Sequence, residues 1–203
     1  MYFRKLCIAL VALFLVGISC NKDKSLTKIN IPVSQLPIAV GNIWIYVYSP
    51  HSGPNDTMTV TVLSKIKNQI GDSVYLIQRK TSLFGIDTLF TLVTKDSVNY
   101  YNDLALTSLA DKYLLPLITG SKWSDAVDSI DTTRILGIGQ VACNGVHYDS
   151  VVSIRRDASQ GSDVLIVITV IKPGIGVIEQ SQTTYRGYTD GYSLTILNYN
   201  IKP

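Results

Sequence analysis

The sequence predicts an all-β protein with about ten antiparallel strands in a strongly curved sheet or partly closed barrel, and at most one short helix. Two observations support this prediction. Glu179 is the single glutamate among 15 acidic side chains, whereas helices use glutamate freely and aspartate favours turns and caps. Apolar and polar residues also alternate with a period of two along many segments, which is typical of strands.

The first half of the chain predicts a meander. In Asn42–Tyr48, Ile43, Ile45 and Val47 alternate with three aromatic residues, which indicates a strand. Turn-forming clusters rich in Gly, Pro, Asn and Asp separate this segment from its successors. The same alternation predicts four further strands, at Thr57–Ile66, Ser73–Lys80, Asp87–Thr94 and Ser97–Asn102.

The second half repeats this organisation. Asn144-Gly145 is the strongest hairpin signal in the chain, because both residues accept the positive φ of a tight turn. Asp103–Leu114 has apolar residues at three- and four-residue spacing, so it is the segment that could hold a short helix. A curved sheet, a partly closed barrel and a two-sheet sandwich would each protect the sheet edges, and they remain alternatives. The predicted strands are Thr132–Ala142, Val146–Arg156, Asp163–Ile171, Gly176–Arg186 and Ser193–Ile201.

One pattern, Leu-Pro-(Ile/Leu)-x-x-Gly-x-x-Trp, occurs twice, as "LPIAVGNIW" from Leu36 and "LPLITGSKW" from Leu115. Proline removes a ladder donor, glycine permits a positive φ, and tryptophan brings a large apolar area to the start of a strand. We interpret each copy as a structural junction between loop and strand, with stacking of the tryptophans on a ligand as the alternative. The predicted structural residues are Pro37, Gly41, Trp44, Pro116, Gly120 and Trp123.

Residues 1–19 have the features of a secretory signal peptide. Arg4 and Lys5 precede an apolar run, Leu6–Val16, and small residues lead to Cys20. The run is shorter than the roughly 20 apolar residues that span a bilayer. We expect residues 20–34 to be a polar, flexible tether and residues 35–203 to be a single β-rich domain.

Gly17-Ile18-Ser19-Cys20 resembles the lipobox of bacterial lipoproteins, in which cleavage leaves an acylated N-terminal cysteine. The resemblance implies that Cys20 carries the lipid, and more than one acyl chain gives stable anchoring. We therefore expect a cell-envelope protein that its lipid anchors to a membrane. The expected membrane is the outer membrane. An ordinary signal peptide followed by an incidental cysteine is the alternative.

The charge and cysteine content exclude several classes of function. The 18 basic side chains exceed the 15 acidic ones by three, and Arg4 and Lys5 leave with the signal. The rest are scattered, without the basic stripe that a phosphate backbone requires, so we expect no nucleic-acid partner.

Cys143 is then the remaining thiol of the domain, and His147 would share its face only on a helix. We expect an inert cysteine, with a reactive thiol as the alternative.

No catalytic or metal-binding constellation is visible. The chain has two histidines, one glutamate and no Cys-x-x-Cys or His-Glu-x-x-His pattern. Gly137–Ala142 fits Gly-x-Gly-x-x-Ala, but a dinucleotide loop must open a helix and Asn144-Gly145 turns the chain instead. We expect no metal, no cofactor and no enzymatic activity. A cleft that joins His147 to Asp149 or to a serine would favour an enzyme.

Half of the aspartates precede Ser or Thr followed by an apolar residue or Thr. This pattern is typical of positions where a turn ends and a strand begins. It also resembles the O-glycosylation signal of exported Bacteroidetes proteins, which implies sugars on residues such as Thr57 or Ser73. The pattern occurs at Asp56, Asp72, Asp87, Asp96, Asp128, Asp131 and Asp149.

The segments "LPIAVGNIWIYVYS", "LPLITGSKW", "GQVACNGVHYDSVVSI" and "KPGIGVIEQ" resemble Bacteroidetes cell-envelope lipoproteins of the Pro-x-x-x-Gly-x-x-Trp-x-Tyr type. The resemblance extends over most of the chain from Leu36 and implies a lipoprotein-carrier-like curved β-sheet. Two positions depart from it, since Asp125 stands where the first copy has Tyr46, and Cys143 lies in the central hairpin.

The expected function is binding of an apolar ligand or a partner protein by a lipid-anchored envelope protein, without catalysis. A deep apolar pocket lined by alternate strand residues would favour ligand binding. A surface adhesion or glycan-binding module is the alternative, and it requires exposed, coplanar aromatic rings. The candidate rings are Tyr46, Tyr48, Tyr100 and Tyr101.

Overall fold

The computed structural model describes residues 36–124, 131–160, 163–184 and 191–202. Within these ranges there is no helix, and twelve strands form one antiparallel sheet. Nor do these ranges hold a helix long and apolar enough to cross a membrane. The predicted signal peptide, the tether and Cys20 lie outside the described residues. The strands are β1 (Ile43–Pro50), β2 (Asp56–Lys67), β3 (Ser73–Thr81), β4 (Gly85–Val93), β5 (Ser97–Tyr101), β6 (Leu109–Leu114), β7 (Lys122–Trp123), β8 (Thr132–Cys143), β9 (Val146–Gln160), β10 (Asp163–Lys172), β11 (Gly176–Thr184) and β12 (Tyr192–Asn200).

The all-β prediction is confirmed, and the arrangement is a nearly closed, barrel-like sheet. The ten predicted strands correspond to β1–β5 and β8–β12, while β6 and β7 are additional. A single sheet also removes the two-sheet sandwich from the alternatives. The hairpin signal Asn144-Gly145 connects β8 to β9, with φ values of 48° and 77°.

The prediction that Asp103–Leu114 could form a helix is wrong. The Asp103 carboxylate accepts hydrogen bonds from the backbone N–H groups of Thr107 at 3.2 Å and Ser108 at 2.7 Å. These bonds fix a loop, because they use backbone donors that would otherwise be available to regular structure. The rest of the segment is β6, which pairs with β5.

The order of strands in the sheet is β6-β5-β4-β3-β2-β1-β12-β11-β10-β9-β8-β7. The sheet therefore consists of two six-stranded meanders, β1–β6 and β7–β12, which meet where β1 pairs with β12. Each meander begins at one copy of the repeated sequence pattern. The two edge strands, β6 and β7, are those next to the connection between the meanders.

Side chains of the second meander reach the edge strand β6 across the seam, the gap between the edge strands β6 and β7. The Trp123 indole Nε1–H donates to the carbonyl oxygen of Lys112 in β6 at 3.2 Å. Arg156 of β9 donates through one terminal nitrogen to the carbonyl oxygen of Ala110 at 2.8 Å. These bonds satisfy backbone carbonyl groups of the edge strand β6. On a free edge, such groups would be left to solvent or to another chain.

Several Asp-Ser/Thr patterns lie where a strand begins, as the interpretation based on turns predicts. The strands β2, β3, β5 and β8 begin at Asp56, Ser73, Ser97 and Thr132. Of the two residues named for glycosylation, Thr57 is exposed and Ser73 is half-buried. Modification itself stays a prediction, and Asp128 lies outside the described residues.

Candidate functional site

The two copies of the repeated pattern form the same turn. In each copy the residue after the glycine donates to the carbonyl oxygen three residues earlier, at 3.0 Å. Gly41 and Gly120 have φ values of 90° and 83°, the left-handed region that favours glycine. Their N–H groups donate to the next strand, Gly41 to Val62 at 2.8 Å and Gly120 to Ile135 at 3.2 Å. The copies are therefore equivalent corners of the two meanders.

The equivalence continues beyond the pattern. The pairing of β2 with β3 shifts after Val62 and skips Leu63, while the pairing of β8 with β9 shifts after Ile135 and skips Leu136. Both skipped leucines are exposed, as expected for the extra residue of a β-bulge. Positions can therefore be matched between the meanders by their distance from Val62 and Ile135.

Both tryptophans are buried, with 7% exposure for Trp44 and 8% for Trp123. The Trp44 indole N–H donates to the carbonyl oxygen of Ile175 at 2.5 Å, in the turn between β10 and β11. The Trp123 indole donates to Lys112 instead. Burial leaves neither ring available for stacking on a ligand at the outer surface.

The two copies differ in their relation to the interior of the sheet. Pro37 and Trp44 border an internal cavity. The second copy does not border it, and Trp123 packs in a core cluster with Leu115 and Leu117. Pro116 follows a cis peptide bond.

The cavity has a volume of about 660 Å³ and lies inside the barrel-like sheet. Small-molecule sites commonly have volumes of roughly 300–1,000 Å³. Inward-facing residues of every described strand except β7 line it. On β1 the aromatic face of the alternating pattern, with Trp44, Tyr46 and Tyr48, faces inward. Every second residue of β10 also contributes, namely Leu165, Val167, Thr169 and Ile171.

Aromatic rings form much of the cavity wall. Tyr48 stacks on Tyr192 with ring centroids 5.5 Å apart, and it meets Phe84 edge-on at 5.4 Å. Tyr100 and Tyr113 pack edge-on at 6.0 Å. Phe84 lines the cavity although it is 69% exposed, so the cavity reaches the surface beside the turn between β3 and β4.

Asp56 holds the turn at this opening. Its carboxylate accepts from the N–H groups of Ser82 at 2.7 Å and Leu83 at 3.0 Å. The hydrogen bond from Leu83 is the largest of the effects that keep the pKa of Asp56 below its usual value. Leu83, Phe84 and Ile86 are exposed by 46%, 69% and 61%. The opening therefore has an apolar margin on a hydrogen-bonded turn.

Besides the bonded pair of Arg79 and Asp87, polar side chains of the cavity wall form two hydrogen-bonded sets. The Tyr192 hydroxyl donates to Gln180 Oε1 at 3.0 Å, and Gln180 Nε2 donates to Thr169 Oγ1 at 3.0 Å. The Tyr113 hydroxyl donates to Asp111 Oδ2 at 2.8 Å. These bonds satisfy polar side chains that would otherwise be costly to bury.

Arg156 stands beside the second set. Its guanidinium lies 3.6 Å from Asp111 Oδ1 and 3.7 Å from Asp131 Oδ2, which is beyond hydrogen-bonding distance. Burial raises the pKa of Asp111, and the charge of Arg156 opposes that effect. Among the described residues, Arg156 Nε and Thr133 Oγ1 have no hydrogen-bond partner. Both residues line the cavity.

The other candidate residues from the sequence lie away from the cavity. Cys143 is buried, and burial is the main cause that raises the pKa of its thiol. Glu179 Oε2 lies 3.8 Å from its sulfur. His147 and Asp149 are exposed on β9, and Asp149 forms an ion pair with Lys172 at 3.0 Å. The described ranges contain no group of three or more His, Cys, Asp or Glu residues that could hold a metal ion.

The glycan-binding alternative required exposed, coplanar aromatic rings, and four tyrosines were the candidates. Tyr46 and Tyr48 are buried and line the cavity, and Tyr100 lines it as well. Tyr101 is half-buried. These rings do not form an exposed, coplanar platform.

Sequence reasoning missed three polar residues of the cavity, Asp111, Thr133 and Arg156. One signal was available for the arginine. Arg155 and Arg156 are adjacent in a predicted strand, and alternation sends one of two neighbouring side chains inward. No comparable signal marks Asp111, because the segment that contains it has the spacing of a helix.

Comparison with solved structures found two similar chains. A "putative exported protein with YmcC-like fold" from Bacteroides fragilis has a TM-score of 0.50 and 9% identity, over 85% of this chain and 100% of that one. A "putative lipoprotein" from Parabacteroides distasonis has a TM-score of 0.48 and 9% identity, over 81% and 97% of the two chains. No family model and no curated protein matches this chain. At this identity the likeness shows the fold alone, and the similarity to Pro-x-x-x-Gly-x-x-Trp-x-Tyr lipoproteins stays a prediction.

Proposed function

We propose that this chain is a lipid-anchored protein of the cell envelope, held in the outer membrane, whose cavity binds an apolar or elongated small molecule without catalysis. The internal cavity of about 660 Å³ is the observation that supports this proposal. Burial of apolar ligand surface against such a wall supplies the driving force for binding. The opening beside Phe84 gives the ligand a path from the surface.

Filling the cavity tests ligand binding. Val167 lines the cavity, whereas Ile168, the next residue, does not and lies on the opposite face of β10. Val167→Trp should abolish the binding of a naphthylamine probe whose fluorescence rises in apolar surroundings. Ile168→Trp, the matched control, should leave the probe affinity unchanged. Equal affinities of both variants and the parent chain would contradict binding inside the sheet.

Native mass spectrometry of chain purified gently from its own host would identify the ligand class. A co-purifying mass that organic extraction releases, and that Val167→Trp lacks, supports an apolar small molecule. A bare mass together with failure of the probe to bind would favour recognition of a macromolecule instead.

The lipid anchor is tested separately. Cys20→Ser removes the proposed acylation site, and the protein should move from the membrane fraction to the soluble fraction. Cys143→Ser alters the domain thiol and should leave the protein in the membrane fraction. Intact mass of the membrane form should exceed that of residues 20–203 by the attached lipid. A membrane form whose intact mass equals that of residues 20–203 without added lipid would refute the anchor.

A further inference from the structure

Two polar groups that lack a hydrogen-bond partner among the described residues are neighbours in the cavity wall. Arg156 of β9 and Thr133 of β8 are directly paired in the sheet, which brings their side chains within roughly 5 Å at Cβ. Thr133 is 2% exposed, its Oγ1 is buried, and the Nε of Arg156 is buried as well. A buried donor without a partner is destabilising, so the pair is a candidate site for an acceptor that the described residues do not supply.

The matching position in the other meander shows how such an arginine is satisfied. Arg79 pairs with Val60 as Arg156 pairs with Thr133, and both pairs lie the same distance from the equivalent bulges. On its other side Arg79 pairs with Asp87 and forms a hydrogen-bonded ion pair with it. Arg156 faces Val167 at the corresponding place. One arginine therefore has an acceptor on the neighbouring strand, and the other does not.

The chemistry of the missing partner follows from the donors and charges. An arginine Nε–H can only donate, so its partner must offer an oxygen acceptor, and a threonine hydroxyl, which can donate or accept, can donate to the same oxygen. Two carboxylates, Asp111 and Asp131, already lie within 4 Å of the single guanidinium of Arg156. A further full negative charge there would be repelled, which favours a neutral acceptor.

We propose that Arg156 and Thr133 form a subsite that binds the carbonyl oxygen of a neutral ester or amide at the polar end of the ligand. This inference rests on the proposed function, since it assigns the polar end of the molecule in the same cavity. The remaining apolar and aromatic wall then holds the hydrocarbon part.

Competition against the naphthylamine probe tests the subsite, with dodecane, methyl laurate and lauric acid as competitors. All measurements use the full chain carrying Cys20→Ser. Methyl laurate should bind at least about fivefold more tightly than dodecane, the effect of one net hydrogen bond. It should also bind more tightly than lauric acid at neutral pH.

Thr133→Val removes the donor without changing the shape of the side chain. Val60 occupies the equivalent position and lines the same cavity, so the fold accepts valine there. The variant should lose about fivefold in affinity for methyl laurate and keep its affinity for dodecane. Thr91→Val is the control, because Thr91 also has a buried, unpartnered hydroxyl among the described residues but does not line the cavity. It should change neither affinity.

The outcomes separate the two proposals. Equal affinities of the parent chain for dodecane and methyl laurate would refute the subsite and leave apolar binding intact, and this comparison needs no variant. Tighter binding of lauric acid than of its ester would refute the neutral carbonyl in favour of an anion. Failure of all three competitors and of the probe to bind would refute the proposed function itself.

Discussion

Replacing Trp123 by phenylalanine tests whether an indole hydrogen bond holds the seam of the sheet. The indole Nε1–H donates to the carbonyl oxygen of Lys112 at 3.2 Å. Lys112 belongs to the edge strand β6, and Trp123 belongs to the opposite edge strand β7. Phenylalanine keeps an aromatic ring at this buried position but removes the donor.

The expected loss of stability has two parts. A carbonyl left without its partner in a buried place costs about 1–3 kcal/mol. The smaller ring gives up about 1 kcal/mol of burial, because the tryptophan is only 8% exposed. Together they predict a decrease of about 2–4 kcal/mol in the free energy of unfolding, or a melting temperature lower by about 4–16 °C for a domain of this size.

Urea unfolding measures this loss, and hydrogen exchange locates it. In Trp123→Phe the amides of β6 should exchange faster, because the bond to the opposite edge is gone, while those of β3 should not change. Trp44→Phe is the matched control, since its indole donates to Ile175 at 2.5 Å and is equally buried. That variant should lose similar stability but show faster exchange near the turn between β10 and β11.

Either of two results would refute the reasoning. A loss smaller than about 0.5 kcal/mol would mean that water replaces the indole as the hydrogen-bond donor to Lys112. Water would then reach the gap between β6 and β7. Unchanged exchange in β6 would mean that Arg156, which also bonds to this strand, closes the seam without Trp123.

Three further predictions concern the turns and the thiol. Gly41→Ala and Gly120→Ala should each cost about 1–2 kcal/mol in urea unfolding, because both residues have left-handed φ values; a loss at only one site would argue against equivalent corners. The folded pKa of Asp56 is depressed, so its contribution to stability is present above the ordinary pKa of 3.8 and lost as pH falls below it. The stability of the parent chain should therefore fall more steeply with decreasing pH than that of Asp56→Asn. Identical profiles would exclude the Asp56 carboxylate as a source of this pH dependence. Cys143 should react with iodoacetamide only after unfolding, because it is 3% exposed and burial raises its pKa, and labelling of the native chain seen by mass would contradict this.

The strands could be predicted from the sequence because alternation reports local backbone structure. The two strands that were missed show where that information ends. In β6, the preceding Asp103 loop and a helical spacing of apolar residues conceal the strand. The strand β7 has two residues, which is too short for any period, and it exists because Trp123 pairs with Thr133.

The cavity could not be predicted in the same way. Alternation divides β1 into an aliphatic and an aromatic face, but it does not say which one points inward. Closure of the sheet decides this, since the interior of a wide barrel must be filled by large side chains or remain open. The pairing of Arg156 with Thr133 depends on the register of two strands with a bulge between them, and no local signal encodes that register.

The equivalence of the two meanders shows what distinguishes the surroundings of Arg156 from those of Arg79. A repeated scaffold places an arginine on the inner face of β3 and of β9, at Arg79 and Arg156. Arg79 donates to Asp87 on the neighbouring strand, whereas Arg156 faces Val167 at the matching position. Valine at position 167 removes that acceptor for Arg156, and threonine at position 133 adds a second donor where the first meander has Val60. If this asymmetry serves a ligand, Val167→Asn should place a neutral acceptor beside Arg156 without adding a third carboxylate. It should then weaken methyl laurate binding, whereas an unaltered ester affinity would show that the arginine does not contact the ligand.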